Sequence, residues 1–100
     1  MYCDSKEDVK GLLEKSFENG GLLVQQEQLG ANFFDLSSGV AGELLQIFTT
    51  YGSKLALVVP DTSLYSESFQ QLVLEHRTHN AVRFFADTDT AAKWLQEALA

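Results

Sequence analysis

The chain has 100 residues, of which 45% are hydrophobic and 21% charged, as is typical of one globular domain over residues 1–100. Its 14 acidic and 7 basic residues give a net charge of −7, which argues against nucleic acid and membranes as partners because phosphate groups are bound by clustered Lys and Arg. One cysteine excludes an intramolecular disulfide. Because neither a secretory pattern nor an apolar stretch of about 20 residues is present, we expect a cytoplasmic protein.

The first quarter of the chain predicts one helix and one strand. Ser5 and Asp8 resemble a capping box, in which a short hydroxyl and a following acid pair with free amide groups. Apolar residues then recur at helical spacing as far as Phe17, so we predict a helix over about residues 6–18 that is ended by two glycines. The apolar run at residues 22–26 predicts a strand.

The middle of the chain predicts a second helix and a buried strand. After a connection over residues 27–36, apolar side chains recur at helical spacing between Val40 and Phe48, and this helix ends near Gly52. The apolar run at residues 55–59 lacks alternation, which is typical of a parallel strand buried on both faces.

The last 40 residues predict a helix, a strand and a final helix. A turn at residues 61–63 precedes a third helix, for which Ser63 and Ser66 are alternative N-terminal caps. A strand is predicted at residues 81–86, and the polar stretch at residues 87–90 offers several caps for the last helix.

These elements predict an α/β fold of order α-β-α-β-α-β-α, with a mainly parallel sheet of about three strands in a two-layer or three-layer domain. Right-handed crossovers are expected in such a sheet. If the strands lie in sequential order, both crossover helices cover one face, and the other face depends on the first and last helices or on a partner. A narrow sheet also has two unpaired edges, so we expect a homodimer.

One segment, residues 34–43, concentrates caps, small residues and polar groups, and we identify it as the candidate partner or ligand surface. Its members are Phe34, Asp35, Ser37, Ser38, Gly39, Gly42 and Glu43. The two serines are interpreted as helix caps, with anion or partner binding and regulated phosphorylation as alternatives. The glycines predict close packing of the helix or, alternatively, contact with the backbone of a partner.

Other residues suggest chemistry only weakly. Asp35 is interpreted as a cap and not as one of a catalytic pair with Glu43, and Phe33 and Phe34 as core anchors. His76 and His79 make too small a set for a metal site, and Cys3, expected near a loose terminus, lacks an activating neighbour. We therefore predict no enzyme activity, no catalytic residue, no metal and no cofactor.

Two family resemblances involve the same part of the chain. The pattern Phe33-Phe34-Asp35-Leu36, followed by Gly39, Ala41-Gly42-Glu43 and later Phe84-Phe85-Ala86-Asp87, resembles an uncharacterised bacterial family, domain of unknown function 4180. Members of that family usually begin with an additional β-hairpin, so the resemblance implies a sheet edge that this chain covers in another way. The resemblance implies no established activity.

The turn from Asp35 to Gly39 is also similar to that of sulfate-transporter and anti-sigma-factor-antagonist (STAS) domains. That likeness implies a STAS-like fold and a serine whose phosphorylation controls partner binding, although Leu36 separates the acid from the serines here. Taken together, the sequence predicts a non-catalytic interaction or regulatory module. The alternative is a domain that binds an anionic or polar metabolite at the N-terminus of the second helix, or in the crevice at the carboxyl ends of the strands.

Overall fold

The computed structural model describes residues 3–99, with side chains through residue 98, and it contains five helices and three strands in that range. The elements are α1 (Lys6–Asn19), β1 (Leu22–Gln25), α2 (Ala31–Phe34), α3 (Val40–Tyr51), β2 (Leu55–Val58), α4 (Glu67–Glu75), β3 (Val82–Phe85) and α5 (Thr88–Leu99). Three short 3-10 turns lie at Gln26–Gln28, Leu36–Ser38 and Thr62–Leu64. The predicted α/β order is confirmed, whereas the connection predicted over residues 27–36 contains α2 and parts of two of these turns.

The three strands form one parallel sheet in the order β1-β2-β3. Leu55 in the central strand lies opposite Leu22 on one side and Val82 on the other. All four residues of β2 are buried, as its unbroken apolar run predicts for a strand covered on both faces. The sequential order places both crossover helices on the same face of the sheet.

Two unequal cores result from this arrangement. Alternate strand residues, such as Leu55 and Leu57, face the main core, which is filled from α1, α2, α3 and α4. Ala56 and Val58 face the opposite way and form a smaller core with Ala91 of α5. The domain therefore has three layers, and α5 is the described helix that covers the second face.

Side-chain caps fix the beginnings of the long helices. The Ser5 hydroxyl accepts from the backbone N–H of Asp8 at 3.2 Å, and the Asp8 carboxylate accepts from the Ser5 N–H at 3.1 Å. The Asp4 N–H donates to the same carboxylate at 2.9 Å, and this bond, followed by hydrogen bonds from Ser5, lowers the pKa of Asp8. Ser66, not Ser63, caps α4 by accepting from the Phe69 N–H at 3.2 Å.

Cys3 is an ordered part of the core, contrary to the expectation of a loose terminus. Its side chain is fully buried, and its backbone pairs with the chain after β1. The Cys3 N–H donates to the Gln28 carbonyl at 2.7 Å, and the Gly30 N–H donates to the Cys3 carbonyl at 2.8 Å. Within residues 3–99, no helix is long and apolar enough to cross a membrane.

Candidate functional site

Asp35 caps the turn between α2 and α3, whereas the interpretation of Ser37 as a cap is wrong because its hydroxyl donates to Asp35. The Asp35 carboxylate accepts from the Ser37 backbone N–H at 3.1 Å and from the Ser37 hydroxyl at 2.6 Å. Both residues are exposed, but their polar groups satisfy each other. This geometry matches the interpretation of Asp35 as a cap.

Ser38 links α2 to α3 through its side chain. Its hydroxyl donates to the Asn32 carbonyl at 2.5 Å and accepts from the Val40 N–H at 3.2 Å. The hydroxyl thus occupies one of the amide groups at the beginning of α3 that an anionic ligand would use. An anion or a phosphate at this position would have to replace both hydrogen bonds.

The two glycines of the candidate surface differ in their surroundings. Gly39 has a φ of 82°, in the left-handed region, and an added Cβ would lie 3.3 Å from Cε of Lys6. Gly42 is exposed, and an added Cβ would meet nothing within 4 Å. The close packing predicted for Gly42 is therefore wrong, because α3 turns this position away from the sheet and buries Ala41 instead.

Phe34 belongs to an aromatic cluster that joins distant parts of the chain. Its ring stacks on Tyr65 with centroids 3.9 Å apart and planes at 4°, and both rings contact Phe69 edge-on. Phe33 is fully buried and contacts the same Phe69 at 6.1 Å. The two phenylalanines therefore act as core anchors, with Phe34 half-buried at the margin.

A surface with two exposed aromatic rings lies where the outer sides of α1 and α3 meet, and it extends the candidate surface from Glu43. We call it the α1–α3 face; its residues are Phe17, Glu43, Gln46, Ile47, Thr50 and Tyr51. Phe17 is 54% exposed and Tyr51 is 61% exposed, and their rings meet edge-on with centroids 5.9 Å apart. Residues from Glu43 to Tyr51 also line a shallow groove of about 220 Å³.

Sequence reasoning missed this face because it assigned Phe17 to the buried side of α1. In the structure that side carries Ser16, whose buried hydroxyl donates to the Leu13 carbonyl at 2.6 Å. The i, i+4 spacing of Glu43, Ile47 and Tyr51 was the sequence signal that these residues share one side of α3, and it could have identified that part of the α1–α3 face.

A second cavity, the strand-end groove, lies beside the carboxyl ends of β2 and β3 and measures about 400 Å³. It is lined by Val59, Pro60, Thr62, Val73, Arg77, Phe84, Phe85, Ala86, Asp87 and Thr90. Two of the three strand ends named from the sequence as a ligand crevice thus line one cavity. The third is closed by side chains, because Gln25 bonds to Thr88 at 2.9 Å and Gln26 bonds to the Tyr65 hydroxyl.

The Asp87 carboxylate in this groove is hydrogen-bonded to the first turn of α5. Its carboxylate accepts from the Thr90 N–H at 2.8 Å and from the Thr90 hydroxyl at 3.0 Å. The backbone bond and then the hydroxyl bond lower the pKa of Asp87 from its ordinary value. Arg77 is the cation of the groove.

Cys3, His76 and His79 do not form a reactive or metal-binding group. Burial, followed by the nearby carboxylates of Asp8 and Asp4, raises the pKa of the Cys3 thiol to about 12. The ring centroids of the two imidazoles lie 5.0 Å apart. Because α4 ends at Glu75, the loop after α4 brings them together, and they do not share a helix face. Among residues 3–99, no three His, Cys, Asp or Glu side chains gather as metal ligands would.

Comparison with known proteins identifies the family of this chain. No curated protein and no solved structure shows significant similarity to this chain. The comparisons do not show the resemblance to STAS domains. The model of the family described as Domain of unknown function (DUF4180) matches residues 2–95, and this chain therefore belongs to that family.

Proposed function

We propose that this chain is a non-catalytic interaction module that forms a homodimer through the α1–α3 face. The observation that carries the proposal is the pair of exposed aromatic rings, Phe17 and Tyr51, on neighbouring helices. Aromatic side chains are enriched at protein interfaces, whereas large apolar groups left together in water are costly. Glu43 belongs both to this face and to the candidate surface, so the segment chosen from the sequence lies at the margin of the face.

The direction of the two helices suggests how two copies meet. Lys6 lies beside Gly39 where α1 and α3 begin, and Phe17 lies beside Tyr51 where they end, so the helices run in parallel. Neither helix has a basic residue in its last turn. A two-fold axis perpendicular to the helices would set the helices of one copy antiparallel to those of the other and bring Lys6 toward these carbonyl ends, where positive charge is favourable.

Sedimentation equilibrium on the whole chain tests the proposal. We expect a dimer for the parent chain and a monomer for the double variant Phe17→Ser, Tyr51→Ser, because the aromatic area at the centre of the interface is lost. Leu64→Ser, Leu74→Ser is the matched control, since these leucines are 69% and 54% exposed but lie outside the α1–α3 face.

Two results would overturn the dimer. One is a parent chain that stays monomeric up to high micromolar concentration. The other is a dimer that the aromatic variant leaves intact but the leucine variant dissociates, which would move the interface to another face.

The strand-end groove supports a second candidate function, the binding of a polar metabolite. Its volume of about 400 Å³ lies within the range typical of small-molecule sites, and it combines apolar walls with the guanidinium of Arg77. It lies at the carboxyl ends of parallel strands, where ligands of α/β proteins bind. The N-terminus of α3 is less suitable because Ser38 already accepts from the Val40 N–H.

Native mass spectrometry of the chain purified from cells distinguishes the two functions. A stoichiometric small adduct that is lost in Ala86→Trp, which fills the groove, would support the metabolite-binding function. A dimer without an adduct would support the interaction module. An added phosphate that disappears in Ser38→Ala would instead support regulation through that serine.

A further inference from the structure

A third cavity lies at the opposite end of the sheet from the strand-end groove, where β2 and β3 begin. It measures about 410 Å³, and we call it the His79 cavity; its lining residues are Thr49, Gly52, Lys54, Thr78, His79, Asn80 and Ala81. The lining contains no Asp or Glu, although the chain as a whole carries a charge of −7. Lys54 therefore gives the cavity lining a formal positive charge with no carboxylate to offset it.

The hydrogen bonds of His79 fix which ring nitrogen carries the proton. Nδ1 accepts from the backbone N–H groups of Ala81, at 3.1 Å, and Val82, at 3.2 Å. The neutral imidazole must then hold its proton on Nε2, which makes Nε2–H a donor. This donor has no protein partner among residues 3–99.

The backbone carbonyls that would repel an anion near the cavity are already engaged. Arg83 donates from Nε to the His79 carbonyl at 2.7 Å and from Nη2 to the Thr78 carbonyl at 3.2 Å, and Lys54 donates to the Asn80 carbonyl at 2.6 Å. In the last turn of α3, the Thr49 and Phe48 carbonyls likewise accept from the N–H groups of Gly52 and Ser53. Lys54 needs only one of its three N–H groups for Asn80, so two remain for a ligand.

The electrostatic environment of His79 also favours a negative charge in the cavity. Burial lowers the pKa of His79, and the charges of His76, Arg83 and Lys54 lower it further. Three neighbouring groups thus oppose an added positive charge, which means that they favour a negative one.

We propose that the His79 cavity binds a small anion bearing a carboxylate or phosphate group, through the Lys54 ammonium, the Nε2–H of His79 and the Thr78 hydroxyl. Charge-assisted hydrogen bonds to such groups are stronger than neutral ones, and three donors around one cavity suit an oxyanion. This site is separate from the α1–α3 face and from the strand-end groove, so it does not depend on either proposed function.

A nuclear magnetic resonance titration tests the site directly. Inorganic phosphate and, separately, acetate are added to the whole chain at constant ionic strength while the ring signals of His79 are followed. We expect saturable shifts with phosphate, acetate or both, together with a rise in the pKa of His79 as the anion binds. The anion that saturates identifies the ligand group.

Variants separate the site from general charge effects. Lys54→Gln should weaken binding about tenfold, the loss expected for a charge-assisted hydrogen bond of about 1.4 kcal/mol. Lys15→Gln removes the same charge from α1 and should leave binding unchanged. Thr78→Val, which preserves the bond between Lys54 and Asn80, should weaken binding without loosening the loop. Shifts that fail to saturate with both anions, or equal affinity in Lys54→Gln and the parent chain, would overturn the proposal.

Discussion

Gly39 and Gly42 lie three residues apart, but we expect an added side chain to destabilise the fold at Gly39 and to stabilise it at Gly42. Gly39 adopts a φ of 82°, which L residues enter at a cost of about 1–2 kcal/mol, so we expect Gly39→Ala to lower the free energy of unfolding by that amount. Gly42 lies in the first turn of α3 with open space around it. Gly42→Ala should therefore raise the free energy of unfolding by up to about 1 kcal/mol.

Urea denaturation followed by circular dichroism measures both glycine variants. Only flexible atoms of Lys6 lie near the Cβ position of Gly39, so the expected loss comes from the backbone and not from a clash. Equal effects of the two alanines would contradict this assignment of the left-handed residue.

Gly30 illustrates a different constraint, because its φ of −85° suits any residue. The obstacle is Asp4, whose Oδ1, Cγ and Cβ would lie 2.3, 2.5 and 2.7 Å from an added Cβ. Rotation of the carboxylate cannot relieve the contact with the Asp4 Cβ, and displacement breaks the 2.9 Å bond that Oδ1 accepts from the Asn32 N–H. We expect Gly30→Ala to destabilise the fold by about 1–3 kcal/mol in thermal or urea unfolding.

A double-mutant cycle isolates the contact between Gly30 and Asp4. In an Asp4→Gly background, Gly30→Ala should cost clearly less, because the clashing atoms are gone. Gly11→Ala serves as the control, since an added Cβ there meets nothing within 4 Å. An undiminished cost in the Asp4→Gly background would show that the clash is not the cause.

The start of β3 depends on a titratable group, which makes this element sensitive to pH. His79 accepts two backbone N–H bonds through Nδ1, and its pKa is lowered from 6.5 by burial and then by His76, Arg83 and Lys54. Because the unfolded chain binds the proton more readily, the stabilisation is complete above about pH 6.5 and is lost as the pH falls toward the lowered pKa. Asp8 and Asp87, whose pKa values lie below 3.8, lose their contribution only at lower pH.

Unfolding free energies measured between pH 7.5 and 5 test the role of His79. We expect stability to decrease over this range in the parent chain and the slope to be reduced in His79→Gln. The protection factors for amide exchange at Ala81 and Val82, which correct for the slower intrinsic exchange at lower pH, should decrease over the same range, because protonation of Nδ1 releases both N–H groups. An identical pH dependence in the two proteins would contradict this account.

The elements that the sequence predicted well are those with local signals. The caps Ser5 and Ser66 act within three residues of themselves, and the apolar run of β2 reflects burial on both sides. By contrast, α2 depends on distant partners, since Asp4 bonds to its first turn and Tyr65 stacks on Phe34 at its end. No pattern within residues 27–36 could reveal those contacts.

The candidate sites likewise divide into those that the sequence could predict and those that depend on contacts between distant residues. The strand-end groove was predictable in outline because parallel strands place their carboxyl ends together. The His79 cavity was not, because bonds from Lys54 and Arg83 shape a loop that the sequence shows only as polar residues. The hydroxyl of Ser38 was correctly interpreted as a cap, but its second bond to the Asn32 carbonyl depends on the turn of the chain between them.

As a whole, the molecule is held together by a central strand shared between two cores of different size. β2 turns Leu55 and Leu57 toward the main core, and it turns Ala56 and Val58 toward α5. α5 contacts all three strands, and Trp94 on this helix packs on Phe85 at 5.6 Å and receives the Arg83 guanidinium at 5.0 Å. Separation of α5 would expose one face of every strand, so we expect the two cores to unfold together.

Trp94, the single tryptophan of the chain, reports on this coupling. We expect its fluorescence and the far-ultraviolet circular dichroism to give the same urea midpoint and slope, as a two-state domain requires. Trp94→Ala should lower the free energy of unfolding by about 3 kcal/mol, although α5 lies apart from the main core, because the second face has few other large side chains to cover it. A fluorescence transition at lower urea than the dichroism transition would show instead that α5 separates first. In that case α5 would be a cover that opens while the main core stays folded.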